Sequence, residues 1–112
     1  MDLKATQNGR ALVITADAAR IDAAVAIRFK DLMREVIPAD AGRVILDLGQ
    51  VGFIDSSGLG AIVSVMKQLG ADQTLELAAL HPTVDRVFRL TRMDSVFPIH
   101  ADLTQALRDH AG

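Results

Sequence analysis

Apolar residues along the chain follow two spacings, which predict strands and helices in turn. Short apolar runs typical of strands lie at residues 3–5, 10–16, 44–48 and 74–80, and a further extended piece lies at 96–99. Spacings of three and four residues predict helices, with apolar positions running from Ile21 to Val36, Leu59 to Met66, Val84 to Leu90 and Leu103 to Leu107. The order ββαβαβαβα predicts an α/β fold in which about four helices pack on a small mixed sheet.

Local signals mark where these elements begin and end. Asn8-Gly9 separates the first two runs and predicts a tight antiparallel hairpin. Asp22 is the predicted N-cap of the first helix, Gly70 ends the second, and Pro82 begins the third. Because crossovers between strands of one sheet are right-handed, the later strands are expected to be parallel.

The centre of the chain, residues 44–60, joins a buried strand to a helix start. A short apolar patch after the strand ends at Asp55, and Ser56 and Ser57 follow. All three side chains carry oxygens that cap free backbone N–H groups at a helix N-terminus. The sequence therefore places a serine pair at the first turn of a helix and at the end of a strand. In α/β folds, functional sites form at this position.

The helix after the serines has two predicted faces. The core face is expected to hold Leu59, Ile62, Val63 and Met66. The remaining positions could form a surface for a partner, and they comprise Ala61, Ser64, Val65 and Lys67.

Composition narrows the classes of function. The 112 residues suit one domain, residues 1–112, and half of them are apolar. A net charge of −2 with interspersed signs gives no basic patch, which argues against nucleic-acid binding. No apolar stretch reaches the ~20 residues of a membrane span, and the N-terminus lacks a secretory pattern. We therefore expect a cytoplasmic protein that does not insert into a membrane. Nothing in the sequence requires more than a monomer.

The sequence lacks the common motifs of metal binding, cofactor binding and nucleophilic catalysis. Cysteine is absent, and His81, His100 and His110 have no metal-ligand spacing, so no metal is expected. Gly58 and Gly60 lack the third glycine of a dinucleotide fingerprint, and the glycine of a nucleophile elbow does not precede either serine. We therefore expect no cofactor and no enzymatic activity.

The run Asp55-Ser56-Ser57-Gly58-Leu59-Gly60 resembles the signature of STAS domains, specifically of stand-alone anti-sigma factor antagonists. The strand V-I-L-D-L and the pair F-I before the run, Ile21-Asp22, His81-Pro82 and the ending L-T-Q-A-L extend the resemblance over nearly the whole chain. Two positions depart from the family pattern. Ala19-Arg20 replaces a glycine-glutamate pair, and Arg92 stands where many relatives end the third helix with glycine.

The resemblance implies a partner-switching regulator. Its unphosphorylated form would bind an anti-sigma-factor serine-protein kinase, phosphorylation on Ser56 would switch it off, and a serine phosphatase would reverse the modification. The resemblance also implies a partner-binding and phosphate environment, made of Asp22, Asp55, Ser57, Gly58, Leu59 and Gly60. Asp22, if close to Ser56, would either orient its hydroxyl or repel its phosphate.

Other interpretations stay open on the residues alone. Asp55, Ser56 and Ser57 could simply start a helix, with Ser57 as a cap and the glycines present for tight packing. Alternatively, Gly58 and Gly60 could clear the approach of a kinase. A soluble STAS subunit of a membrane ABC transporter of the lipid type, or a signalling scaffold, would use the same surface without phosphorylation. An enzyme acting on a small molecule has only the exposed serines in its favour.

Overall fold

The structure, a computed structural model, describes residues 1–108 of the chain. Seven strands occur in these residues, in the order β1 (Asp2–Asn8), β2 (Ala11–Asp17), β3 (Arg20–Ile21), β4 (Arg43–Asp47), β5 (Phe53–Ile54), β6 (Thr74–Ala78) and β7 (Ile99–His100). The α-helices are α1 (Ala26–Val36), α2 (Ser56–Gln68), α3 (Pro82–Leu90) and α4 (Leu103–Arg108). His110 lies outside the described residues.

A five-stranded sheet in the order β1-β2-β4-β6-β7 forms the centre of the molecule. β1 and β2 are antiparallel, and every later neighbour pair is parallel. The predicted mixed α/β fold with an N-terminal hairpin is therefore confirmed. The hairpin turns at Gly9 and Arg10, because Asn8 already pairs with Ala11, and Gly9 supplies the positive φ of +60° that the turn requires.

The strand order explains how the helices divide between the two faces of the sheet. Each crossover from β2 through β4 and β6 to β7 moves one position in the same direction, so right-handed connections place α1, α2 and α3 on one face. The main core lies there and includes Ile14, Phe29, Leu46, Ile62 and Phe88, all fully buried. On the other face, Ala106 of α4 packs with Ala11, Ile45 and Ala78.

A second, two-stranded parallel sheet was not predicted. β3 and β5 pair Arg20 with Phe53 and Ile21 with Ile54, which brings the segment before α1 beside the segment before α2. Ile21 and Ile54 are buried in the main core, whereas Arg20 and Phe53 lie outside. This small sheet positions the start of α2 and therefore the serine pair.

The predicted start of α1 was wrong. Asp22 does not cap α1, which begins at Ala26 without a side-chain cap; instead its carboxylate accepts a hydrogen bond from the Ala24 amide at 3.1 Å within a turn. The predicted end of α2 before Gly70 agrees with the structure to within one residue, since the helix ends at Gln68 with Leu69 as its C-cap. The Gly70 amide donates to the side chain of Gln73 at 2.9 Å.

The predicted faces of α2 were partly wrong. Ile62 is buried, and Leu59, Val63 and Met66 pack against the core as half-buried side chains. Ala61 and Val65, predicted to face a partner, are buried. Because α2 is apolar on nearly all sides, its periodicity does not identify the face that packs on the sheet and on α1.

The segment after α3 is more irregular than predicted. Arg92 adopts a left-handed conformation with φ +61° where a glycine would be unstrained, and a short 3-10 helix, Met93–Ser95, follows. Of the extended piece predicted at 96–99, only Ile99 joins the sheet, where it forms β7 together with His100.

A buried ionic cluster lies between the sheet and α4. Glu76 on β6 is only 3% exposed and accepts hydrogen bonds from Arg43 Nε at 2.6 Å and Arg43 Nη2 at 2.8 Å, while His100 Nε2 lies 2.7 Å from its carboxylate. Arg43 also donates to the backbone carbonyl of Ala106 at 2.6 Å. Burial alone would raise the pKa of Glu76, but the bonds from Arg43 and His100 outweigh it and hold the pKa below its ordinary value. The cluster thus joins β4, β6, β7 and α4.

Replacing Glu76 with glutamine is expected to lower the free energy of unfolding at pH 7 by about 2–3 kcal/mol, because Arg43 loses its buried counter-charge. A carboxyl with a lowered folded pKa stabilises the fold above its unfolded pKa and loses this contribution as the pH falls through the folded value. The difference in the free energy of unfolding between wild type and Glu76→Gln should therefore become smaller below about pH 4. Urea unfolding across pH tests this, with Glu35→Gln on the exposed side of α1 as the control; an unchanged difference at low pH would contradict the assignment.

Candidate functional site

Asp55 forms the junction of the candidate site. Its Oδ1 accepts a hydrogen bond from the Gly58 amide at 2.9 Å and caps α2, as predicted. Its Oδ2 accepts a bond from the Ala23 amide at 3.1 Å, which fastens the turn before α1 to the start of α2. The Gly58 bond, aided by the one from Ala23, lowers the pKa of Asp55 below its ordinary value. Asp55 is therefore ionised at neutral pH and holds two segments together.

Gly58 lets α2 approach β3 more closely than any other residue would. A Cβ at this position would overlap the carbonyl oxygen of Ile21 and lie 2.9 Å from both the Ile21 carbonyl carbon and Ile54 Cγ1. Gly58 is buried, so it does not clear a path for a partner; the tight-packing interpretation is confirmed for it. Gly60 differs, since it is exposed and a Cβ there would meet no atom within 4 Å.

Both serines are exposed on the first turn of α2. Within residues 1–108 neither hydroxyl makes a hydrogen bond to another protein group, so Asp55 alone provides the side-chain cap and the prediction that Ser57 caps the helix was wrong. No base contacts either hydroxyl in this part of the chain.

Asp22 lies in the turn that Asp55 holds. Its carboxylate pairs with Arg20 Nε at 3.0 Å, and its backbone carbonyl accepts a bond from the Val25 amide at 3.1 Å. The structure thus brings Asp22 to the same end of the molecule as Asp55 through the neighbouring Ala23.

Sequence reasoning missed an arginine and an aromatic side chain beside this turn. The Arg20 guanidinium lies 4.7 Å from the centre of the Phe53 ring, a cation–π contact across the β3–β5 pair. Phe53 is 40% exposed, and Ile27 near the start of α1 is 70% exposed. In the sequence, Phe53 was noted only as part of the pair F-I and Arg20 only as a departure from the family pattern, and Ile27 gave no signal of its own.

Comparison with models of known protein families identifies the family of this chain. The model of the STAS domain matches residues 2–106. The chain belongs to the STAS domain family. Among residues 1–108 of this STAS domain, no helix combines the length and apolar character needed to cross a bilayer.

Individual relatives of the STAS domain carry regulatory names. The protein "Putative anti-sigma factor antagonist BtrV" of Bordetella bronchiseptica is 43% identical over 58 residues, which are 51% of this chain and 50% of the relative. The chain thus matches about half the length of that curated relative. An anti-sigma factor antagonist from Mycobacterium paratuberculosis is 23% identical with a TM-score of 0.86, covering 96% of this chain and 92% of the other.

SpoIIAA, an anti-sigma factor antagonist, shares the fold at lower similarity. Its unphosphorylated form is 22% identical with a TM-score of 0.68 and 99% of each chain covered. The phosphorylated form of the Bacillus SpoIIAA is 21% identical with a TM-score of 0.69, covering 96% of this chain and 98% of the other. These similarities confirm the STAS fold.

Asp55→Ala is expected to loosen the STAS site without unfolding the sheet. Both amides that donate to the carboxylate, Gly58 and Ala23, lose their acceptor, and their hydrogen exchange should accelerate relative to the wild type. Asp22→Ala is the matched control, because it removes the acceptor of Ala24 and the ion pair with Arg20 but leaves both bonds of Asp55 in place. Amide exchange followed by NMR distinguishes the two variants. Unchanged protection of Ala23 in Asp55→Ala would contradict the role of Asp55 as a link.

Proposed function

We propose that this STAS protein is an anti-sigma factor antagonist that works by partner switching. In its unphosphorylated form it binds an anti-sigma-factor serine-protein kinase, phosphorylation of Ser56 abolishes that binding, and a serine phosphatase restores it. The protein itself is a phosphoryl acceptor and not a catalyst. The observation that carries the proposal is an exposed serine hydroxyl, free of protein partners in residues 1–108, on the first residue of a firmly capped helix.

The start of α2 favours a phosphate electrostatically. Phosphoserine carries about −1.5 to −2 charges at neutral pH, and the N-terminus of a helix attracts an anion through its N–H groups and its dipole. Ser56 is exposed, so a phosphate there displaces no core side chain. The modified protein therefore stays folded, and the switch acts on the partner.

A partner that fits the free hydroxyl meets new charge and bulk after phosphorylation. Ser56 is flanked by the ionised Asp55, and Asp22 lies in the turn fastened to it, so the phosphate adds to an already acidic surface. A partner surface shaped around a small neutral group would have to desolvate this charge. The names of BtrV, of the Mycobacterium paratuberculosis protein and of SpoIIAA support this class of function.

Intact mass measurement with peptide mapping tests the proposal on protein isolated from its own cells under several growth conditions. We expect one phosphoryl group on Ser56, with an occupancy that changes with conditions. It should vanish in Ser56→Ala and persist in Ser57→Ala, the matched control on the neighbouring exposed serine. Ser56 unmodified in every condition would overturn the proposal, and recovery of a transporter ATPase instead of a kinase with the protein would support the transporter interpretation.

A further inference from the structure

The outer edge of β1 is the longest unpaired strand edge of the described sheet. The strand order leaves β1 and β7 at the two edges, and β7 spans only Ile99–His100. β1 spans seven residues, six of them exposed, and its register with β2 runs from Asp2 to Asn8 without a bulge or a proline. Protein sheets usually shorten, bend or cover such an edge, because its free backbone groups can pair with another strand.

The register of the hairpin shows which backbone groups face outward. Asn8 and Ala11 flank the two-residue turn, so they form a hydrogen-bonded pair, and such pairs alternate along antiparallel strands. Leu3, Ala5 and Gln7 therefore direct their N–H and C=O groups away from β2. Three successive donor and acceptor sets are available to an added strand.

The charges along this edge are not balanced within the subunit. Asp2 lies directly opposite Asp17 across the hairpin, and both are exposed. Lys4 follows on the same face of β1, but in residues 1–108 no ion pair joins any of these three side chains. Like charges directly opposite each other on neighbouring strands are destabilising, so this carboxylate pair favours a cation from outside the subunit.

We propose that β1 pairs antiparallel with β1 of a second copy of this chain, with the two-fold axis at Leu3. In this register Asp2 of each subunit lies opposite Lys4 of the other, and the two Leu3 residues face each other. Symmetry produces the ion pair twice and brings a lysine to each carboxylate pair. An axis at Ala5 would also align outward-facing groups, but it would set Lys4 opposite Thr6 and Asp2 opposite Asn8, so no directly opposite ion pair would form. The charges therefore select Leu3.

Pairing of this kind closes on itself. The two five-stranded sheets would join into one continuous sheet of ten strands, with residues 1–5 of the two chains paired at the contact. The free edges that remain are residues 6–8 of each β1 and the two-residue β7, and these are too short to template further association. The product is a dimer, not a fibre.

Sedimentation equilibrium of the purified full chain tests the dimer. We expect wild type to dimerise at concentrations on the order of 100 µM. Lys4→Asp should raise the dimer dissociation constant by about tenfold or more, because two attractive cross-strand pairs become repulsive. The double variant Asp2→Lys with Lys4→Asp should recover dimerisation, since it restores opposite charges. Lys67→Asp, an exposed lysine of α2, is the control and should dimerise as wild type does.

Ala5→Pro provides a second variant. The Ala5 amide faces away from β2, so proline removes an intersubunit donor without breaking the hairpin ladder. We expect a monomer with an unchanged circular dichroism spectrum. A monomeric wild type at this concentration, a Lys4→Asp variant that dimerises as wild type does, or a double variant that stays as weak as Lys4→Asp would each overturn the proposal.

Discussion

Gly58→Ala is expected to destabilise the protein by about 3 kcal/mol or more, although alanine normally strengthens a helix. The added methyl group would overlap the Ile21 carbonyl oxygen and crowd the buried side chain of Ile54. The overlap with Ile21 cannot relax by rotating a side chain, because its atoms belong to the backbone of β3. Since a domain of this size has a total stability of about 5–15 kcal/mol, the loss is a large fraction of it. Thermal unfolding should show a Tm lowered by more than about 10 °C.

Gly60→Ala is the matched control in the same helix. Its Cβ would meet no atom within 4 Å, so only helix propensity acts, and we expect a gain of about 0.5–1 kcal/mol. The two substitutions are chemically identical and lie two positions apart. If Gly58→Ala lowers the free energy of unfolding and Gly60→Ala raises it, the loss comes from the contact of α2 with β3. Equal effects would contradict the close approach at Gly58.

Ser56→Asp is expected to weaken binding of the cognate serine kinase by about 3 kcal/mol, a change of roughly a hundredfold in Kd. Aspartate adds a carboxylate and bulk beside the ionised Asp55, at the position where the proposed partner fits a hydroxyl. Ser56→Ala should bind the kinase as wild type does but accept no phosphate. Titration calorimetry with the kinase recovered from the same cells measures both variants.

Ser57→Asp tests whether the loss of affinity in Ser56→Asp depends on the position of the added charge or on the charge alone. This variant places the same charge one residue further along α2, also on an exposed side chain. We expect a smaller loss of affinity, because successive helix residues point in different directions. Equal affinity of wild type and Ser56→Asp would count against the switch, and equal losses in the two aspartate variants would indicate a non-specific electrostatic effect.

Local sequence signals predicted the elements that depend on neighbouring residues. Asn8-Gly9 marked the hairpin, Pro82 marked the start of α3, and Asp55 marked the cap of α2, since each acts over only a few residues. Asp22 carried an equally good capping signal, yet its carboxylate joins Ala24 and Arg20 instead. A capping residue type shows that a turn can form, and the tertiary contacts decide where the helix begins.

Features built from distant residues could not be read from the sequence. β3 and β5 contain two residues each, which is too short for a periodic pattern, and the bond between Ala23 and Asp55 joins groups 32 residues apart. The cluster of Arg43, Glu76 and His100 likewise joins three strands. The motif at Ser56 was found because it is continuous, whereas the turn that completes its surroundings is supplied by another part of the chain.

The parallel pairing of β3 with β5 has a consequence for how a partner would recognise the protein in the proposed function. The surface around Ser56 combines the start of α2 with the turn at 22–24, and these meet only after long-range pairing in the folded domain. A short synthetic peptide carrying both serines would lack the second half of this surface. In the proposed function, a partner that contacts both halves binds only the folded domain and does not respond to nascent, truncated or misfolded copies.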